Sequence, residues 1–289
     1  MIIWLASYPK SGNTWLRFFI ISLLFANNKK REMNLNHLQA IMPFPGKAQF
    51  ENLVKDCLDF EEVSRNWINA QQKINSDQRI RIFKTHNMNI RYKNSDFTNL
   101  NNTLATIYIV RDPRNVITSL KNHYSLKKYN DAKEFMFSKS QVITLSEIEK
   151  KKFSKKKNFQ LPQVIGSWQT HYRSWKLMRK NFLLIKYEDL ISNPQKEFFK
   201  LSEFLGDILR VKFSHKQISE SIKNSSFDRL KTMEDNYGFT ESIYNIQTGK
   251  KNKFFYLGPK NDWRNILDKN ISNEIASEFE KDMKELGYL

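Results

Sequence analysis

Met1-Ile-Ile-Trp-Leu-Ala-Ser-Tyr8-Pro-Lys10-Ser-Gly12-Asn-Thr-Trp15, with the apolar run that continues to Phe25, is the stretch whose reading decides the fold. Ile2 to Leu5 form a short β-prone block, Tyr8 to Gly12 carry turn chemistry, and Trp15 to Phe25 are apolar nearly all round, so the pattern predicts strand, loop and buried helix. A glycine-containing loop between a strand and a helix N-terminus aims unpaired backbone N–H groups and the positive end of the helix dipole at one point. That point binds an anion. Lys10 adds a full charge, and Ser11, Asn13 and Thr14 add side-chain donors, which selects a phosphate or a close relative.

The 289 residues suffice for one large α/β domain, expected over 1–289, and the 40% hydrophobic and 13% aromatic content supplies its core. Cys57 is the one cysteine, so no internal disulfide forms and a reducing compartment is expected. The most apolar run is interrupted by Arg17 and falls short of the ~20 residues a membrane span needs. The first strand begins at Met1, leaving no room for a signal peptide, so a cytoplasmic protein without a transmembrane segment is expected. The net charge of +18 comes largely from lysines scattered among Asn and Ile, and the chain carries no nucleic-acid-binding motif. Denser clusters at Lys150 to Lys152 and Lys155 to Lys157 read as a solvated, mobile loop, or as a surface for acidic substrate or membrane lipid.

Downstream, Arg79 to His86 alternates as a strand with a polar tip, Lys84-Thr85-His86, and ligands of open α/β sheets bind outside such strand ends. Leu104 to Val110 is a β-branched run of the kind buried on both faces. Arg111-Asp112-Pro113-Arg114-Asn115 breaks it and opens a helix expected to reach Tyr124. Ser119 follows Arg111 at a spacing of eight residues, which lets a strand-end guanidinium and a helix hydroxyl converge on one anion. Trp168 and Trp175, seven apart, share a helix face with His171 between them. Phe182 to Lys186 reads as another strand, with Tyr187 at its end and Glu188-Asp189 capping or pairing locally. Asn193-Pro194 opens a helix that Gly206 is expected to close, and Ser272 to Leu286 reads as one amphipathic helix.

A nucleotide triphosphatase loop places Lys after its last glycine, whereas Lys10 precedes Gly12. The stretch Tyr8 to Trp15 instead resembles the 5′-phosphosulfate loop of sulfotransferases that use 3′-phosphoadenylyl sulfate (PAPS). Four further blocks resemble that family in its order: Lys84-Thr85-His86, the 3′-phosphate block Arg111 to Ser119, the adenine block Ser225-Ser226-Phe227, and Phe254 to Arg264. The last departs from the family's R-K-G-x-x-G-D-W, having Tyr256 and Leu257 for Arg and Lys and Asn261 for a Gly, while Gly258, Asp262 and Trp263 match. The helix with Trp168, His171 and Trp175 resembles a structural helix of the family.

The resemblance implies an α/β fold of three layers, α/β/α, around a central parallel sheet, related to P-loop kinases and carrying helical cap segments. It implies sulfuryl transfer from PAPS to a hydroxyl or amine acceptor, with release of PAP and no metal required. Lys10, Lys84 and His86 are then the catalytic candidates. Lys10, Ser11, Gly12, Asn13, Thr14, Trp15, Arg111, Ser119, Tyr187, Ser225, Phe227, Gly258 and Lys260 are the nucleotide-binding candidates. Lys253, Lys260 or Arg264 must compensate the two missing cations. A kinase of related fold lacks its G-K-[ST] loop and Mg²⁺ ligands here, and retention of Lys10, Lys84 and His86 together argues against a non-catalytic nucleotide-binding protein. The acceptor, a small molecule, sugar or lipid, is not legible, because segments 27–78 and 127–160 match no motif.

Overall fold

The computed structural model describes residues 1–25, 33–145, 150–151, 159–245 and 248–289. The Lys155 to Lys157 cluster and Lys152 lie outside the described residues. In chain order the elements that matter are β1 (Ile2–Ser7), α1 (Asn13–Phe25), β2 (Arg81–Thr85), β3 (Thr103–Val110), α2 (Pro113–His123), α3 (Trp168–Lys176), β4 (Phe182–Lys186), α4 (Pro194–Leu209), α5 (His215–Asn224) and α6 (Phe227–Tyr237). They divide between two compact units, one of residues 1–8, 41–109 and 139–184, the other of residues 9–40, 110–138 and 185–289.

The first unit holds the sheet, ordered β2-β1-β3-β4. β1 pairs in parallel with β2 (Ala6 with Thr85) and with β3 (Ser7 with Ile109), so Ser7, Thr85 and Val110 finish at the same end of the sheet. The chain leaves β1, adds β2 on one side and β3 on the other. That reversal makes the carboxyl end of β1 the switch point, where a parallel sheet opens a crevice. All six residues of β1 are buried, and Trp4 centres an aromatic cluster with Phe44 at 5.3 Å, Phe97 at 5.6 Å and Trp175 at 6.1 Å between rings. Its indole N–H donates to Thr103 Oγ1 at 3.0 Å, which keeps the buried polar atom satisfied. The free edge of β2 is covered by the chain at 42–44, where Lys84 N–H donates to Met42 O and Phe44 N–H to Lys84 O. This central parallel sheet of four strands flanked by helices is the α/β class expected.

In the second unit α1 is buried from Leu16 to Leu23. Phe19 stacks on Phe198 of α4 at 4.1 Å, and Asn224 of α5 donates to Ser22 Oγ at 3.1 Å. α2 starts where proline and aspartate put it: Asp112 is the N-cap, accepting from Arg114 N–H, and Pro113 is the first helical residue. Two expected helix ends are corrected. α4 runs through Gly206 to Leu209 and turns at Arg210, which has φ 57, while Val211 N–H returns to Gly206 O. A Cβ at Gly206 would lie 2.8 Å from Val211 O, so this glycine serves the close return of the chain and not the stop itself. The C-terminal amphipathic stretch is two helices, Lys269–Glu278 and Glu280–Glu285, broken at Phe279 while Ile275, Phe279 and Met283 all stay buried. Among the described residues, no helix is long and apolar enough to cross a membrane.

Candidate active site

All the nucleotide-binding candidates fall in the second unit, as does Lys10, while Lys84 and His86 fall in the first. After Tyr8 the backbone curls through two left-handed residues, Lys10 at φ 65 and Gly12 at φ 106, and enters α1 at Asn13. Such a curl turns successive N–H groups to one side, where the first turn of α1 adds its own. Gly12 is needed there, since a side chain at that φ is strained. Ser11 is fully buried, and its Oγ has no hydrogen-bond partner among the described residues, as the indole N–H of half-buried Trp15 has none. A buried hydroxyl at a helix N-terminus suits an anionic oxygen. The ammonium of Lys10 lies 3.5 Å from the centre of the Phe254 ring, a cation–π contact. Thr14 Oγ1 donates to Glu241 at 3.5 Å, and the same carboxylate takes Arg17 Nη2 at 2.7 Å.

The second anion position is built by α2. Arg111, at the end of β3, donates from Nη1 to Lys10 O at 3.3 Å and to Ser119 Oγ at 3.4 Å, and its guanidinium lies 4.1 Å from the Tyr187 ring. Sequence spacing and structure agree in bringing Arg111 and Ser119 together. Burial pushes the Tyr187 phenol up, with Arg111 opposing. The Glu188 carboxylate, besides a hydrogen bond with its own backbone, accepts from Asp112 N–H and from the Tyr288 hydroxyl, and burial raises its pKa. Trp15 meets Tyr187 edge-on at 5.7 Å.

The divergent block Phe254 to Arg264 explains its own departures. Lys253 is paired with Asp235 at 2.5 Å and Arg264 with Asp262 at 3.2 Å. Lys260 is exposed on the turn Gly258–Lys260. Asn261, in the place of a glycine, is buried and reaches inward: Nδ2 donates to Asn115 O at 2.8 Å and to Ser119 Oγ at 3.3 Å. Because Asn115 O can only accept, the amide orientation is determined, and Oδ1 is left buried with no partner among the described residues. Gly258 lies against Phe227, where a Cβ would fall 2.2 Å from the ring. Ser225, by contrast, points its hydroxyl back into α5, donating to Ser221 O and Ile222 O.

In the first unit His86 directly follows β2 and is half-buried. Its N–H donates to Gln163 Oε1 at 2.9 Å, and its ring Nδ1 lies 2.8 Å from Ser7 O and 3.2 Å from Ser7 Oγ. A carbonyl only accepts, so Nδ1 carries a proton, and in the neutral ring Nε2 is the nitrogen with the lone pair. Lys84 is buried two residues earlier. His171 is fully buried within the face of α3 that holds residues 86–89. Its Nε2 lies 3.0 Å from His86 O, Trp175 Nε1 donates to Asn87 O, and Ser174 Oγ accepts from Asn89 N–H. Burial lowers the His171 pKa to about 3, so the ring is neutral.

Asn261, Phe254, Gln163 and Tyr108 were not among the residues that sequence reasoning selected. The Gly-to-Asn change at 261 was the one visible signal; Gln163 sits in a strand of two residues, Gln163–Val164, too short to show a period.

The sulfotransferase domain family model matches residues 2–287. A flavonol 3-sulfotransferase of Flaveria bidentis is 24% identical over 281 residues, covering 94% of this chain and 78% of that protein. Sulfotransferase 1E1 of Bos taurus is 24% identical, over 97% of this chain and 82% of that one. Among solved structures, mouse sulfotransferase SULT7A1 complexed with PAP superposes with a TM-score of 0.59 at 21% identity, covering 98% of this chain and 84% of that chain.

Proposed function

Because the chain belongs to the sulfotransferase domain family, an enzyme family that transfers a sulfuryl group from PAPS, we propose that Lys10, Lys84 and His86 carry that transfer here. The observation that supports the reading best is the contact of His86 Nδ1 with Ser7 O. With Nδ1–H donated to Ser7 O, the neutral ring presents its other nitrogen as a base, and Ser7 is three residues before Lys10 in the chain. The donor nucleotide suits the second unit on its own chemistry. The curled loop with the buried Ser11 hydroxyl suits a 5′-phosphosulfate, and Arg111 with Ser119 suits a 3′-phosphate.

In this reading an acceptor hydroxyl or amine gives its proton to His86 Nε2 as its oxygen or nitrogen attacks sulfur in line with the bridging oxygen. Negative charge grows on the departing phosphate, where Lys10 meets it, and Lys84 binds the non-bridging sulfuryl oxygens. Trp15, Tyr187, Phe227 and Gly258 supply the adenine pocket, Phe227 and Trp15 by stacking. Lys260 is exposed enough to swing toward a 3′-phosphate, and Asn261 holds Ser119 in place for it. We assign one sulfotransferase domain to 1–289, a cytoplasmic site of action, and a small alcohol, phenol, amine, sugar or lipid headgroup as acceptor; the relatives named above include a flavonol 3-sulfotransferase.

The test is a panel of such acceptors incubated with radiolabelled PAPS and read by label transfer and mass shift. Transfer to at least one acceptor by the native enzyme, lost in the His86→Ala variant, is the expected result. Label transfer that persists undiminished in His86→Ala places the base elsewhere.

A further inference from the structure

His171 is buried, neutral and removed from solvent, yet both of its ring nitrogens are engaged by groups that lead in opposite directions. Nε2 lies 3.0 Å from His86 O, and Nδ1 lies 2.8 Å from the Tyr108 hydroxyl. The Tyr108 oxygen in turn takes a hydrogen bond from the backbone of Tyr8. The direction of each bond follows from what the groups can do. Tyr8 N–H only donates, so the Tyr108 oxygen accepts it and turns its own proton toward His171 Nδ1. His86 O only accepts, so His171 carries its proton on Nε2. One tautomer satisfies the whole line, from Tyr8 through Tyr108 and His171 to His86.

We infer that His171 is a positioning residue for His86, fixed as the Nε2–H tautomer by Tyr108, and that this line ties the base to the first residue of the anion loop. The inference rests on the reading of His86 as the base. Three contacts then set His86: Gln163 holds its N–H, His171 its carbonyl and Ser7 its ring. With the backbone clamped on both sides, the ring keeps Nδ1 on Ser7 and Nε2 pointing to the acceptor. The same arrangement accounts for the histidine among the tryptophans of α3. Packing alone would be served by a phenylalanine at 171; the two directed hydrogen bonds need an imidazole, or an amide that carries both a donor and an acceptor.

The experiment uses the full chain, whose five histidines allow each imidazole to be followed by long-range ¹H–¹⁵N correlation at pH 7. In the native protein His171 is expected to show the Nε2–H pattern and His86 the Nδ1–H pattern. His171→Phe and Tyr108→Phe are each expected to replace the single-tautomer pattern of His86 by an averaged one, and His171→Gln to restore it. An unchanged His86 pattern in both His171→Phe and Tyr108→Phe overturns the inference. If His171→Phe fails to fold, Tyr108→Phe, which removes one oxygen atom, decides alone.

Turnover is read in parallel with the best hydroxyl acceptor of the panel, and with 2-naphthol as a fixed phenolic probe. His171→Phe should lower kcat by on the order of 10- to 100-fold, the scale of a displaced catalytic group, while PAP affinity stays within about twofold. In a His86→Ala background the further loss should shrink to under about threefold, because the two residues act through one group. A full additional loss in that background overturns the positioning role and leaves His86 as base. Native turnover in His86→Ala removes the base assignment, and the positioning role with it.

Discussion

Around His86 the protein supplies hydrogen-bond partners for backbone and ring: Gln163 takes its N–H, His171 its carbonyl and Ser7 its ring. Around Lys10, in the other unit, the buried Ser11 hydroxyl, the Trp15 indole and the Asn261 amide oxygen have no partner among the described residues. The two halves of the chemistry are therefore prepared by different means. In the proposed reading the base is set by hydrogen bonds within the protein, whereas the donor side is completed by its ligand. Polar atoms left unmatched in the protein cost stability that binding then recovers, so PAP should stabilise the second unit by mass action and change the surroundings of His86 little.

The strongest test of that contrast separates binding from turnover. His86→Ala should cut turnover by roughly 10²–10⁴, the usual range for a lost general base, and leave PAP affinity almost unchanged in calorimetry. Lys10→Ala should lower turnover strongly and weaken PAP as well, because the ground-state donor is already anionic. A His86→Ala variant that loses PAP binding would show that the halves are not prepared independently.

Acid should act through the unit that holds His171. The pKa of His171 falls from its ordinary 6.5 to about 3 on folding, so the unfolded chain binds the extra proton between those values. His171 thus contributes stability that is complete above about pH 6.5 and is lost as pH falls toward 3, at up to ~1.4 kcal/mol per pH unit. Melting temperatures from pH 7 to 4.5 should drop less steeply for His171→Gln than for the native chain. Parallel curves would remove this contribution.

A smaller effect is expected for the guanidinium of the 3′-phosphate position. Arg111→Ala should cost about 1.5–3 kcal/mol of PAP binding and much less of ADP binding, since ADP lacks the 3′-phosphate. Equal losses for the two nucleotides would take that role from Arg111 and Ser119. The smallest change sharpens the contrast most directly. Ser11→Ala removes a buried hydroxyl that no described protein group satisfies, so the ligand-free melting temperature should hold or rise while PAP binding weakens by about 0.5–1.5 kcal/mol. A lower melting temperature without ligand would mean that the hydroxyl is satisfied within the protein.

Legibility followed the range of the interactions. The entry into α2 was readable because Asp112 and Pro113 act within one turn of the helix they start. The pairing of Arg111 with Ser119 was readable because strand end and helix are contiguous, eight residues apart. The end of α4 was misread because Gly206 is placed by a close approach to Val211, a contact that a local rule for helix stops does not contain. Asn261 registered only as a departure from a pattern, since its partners Asn115 and Ser119 lie more than 140 residues away in sequence.

By itself the sequence determined the strand, curled loop and helix at the N-terminus, and the order of the blocks that resemble a PAPS site. Each of these depends on neighbours in the chain, through period, cap, turn conformation and charge. Only the tertiary structure decided how those residues are held. It directed the Nδ1 proton of His86 onto Ser7, converted His171 from a packing residue into a hydrogen-bonded neighbour of the base, and put an asparagine against Ser119 where a glycine was expected. The reason is physical: proton placement depends on which acceptor lies opposite each nitrogen, and here those acceptors come from residues some eighty or more positions away.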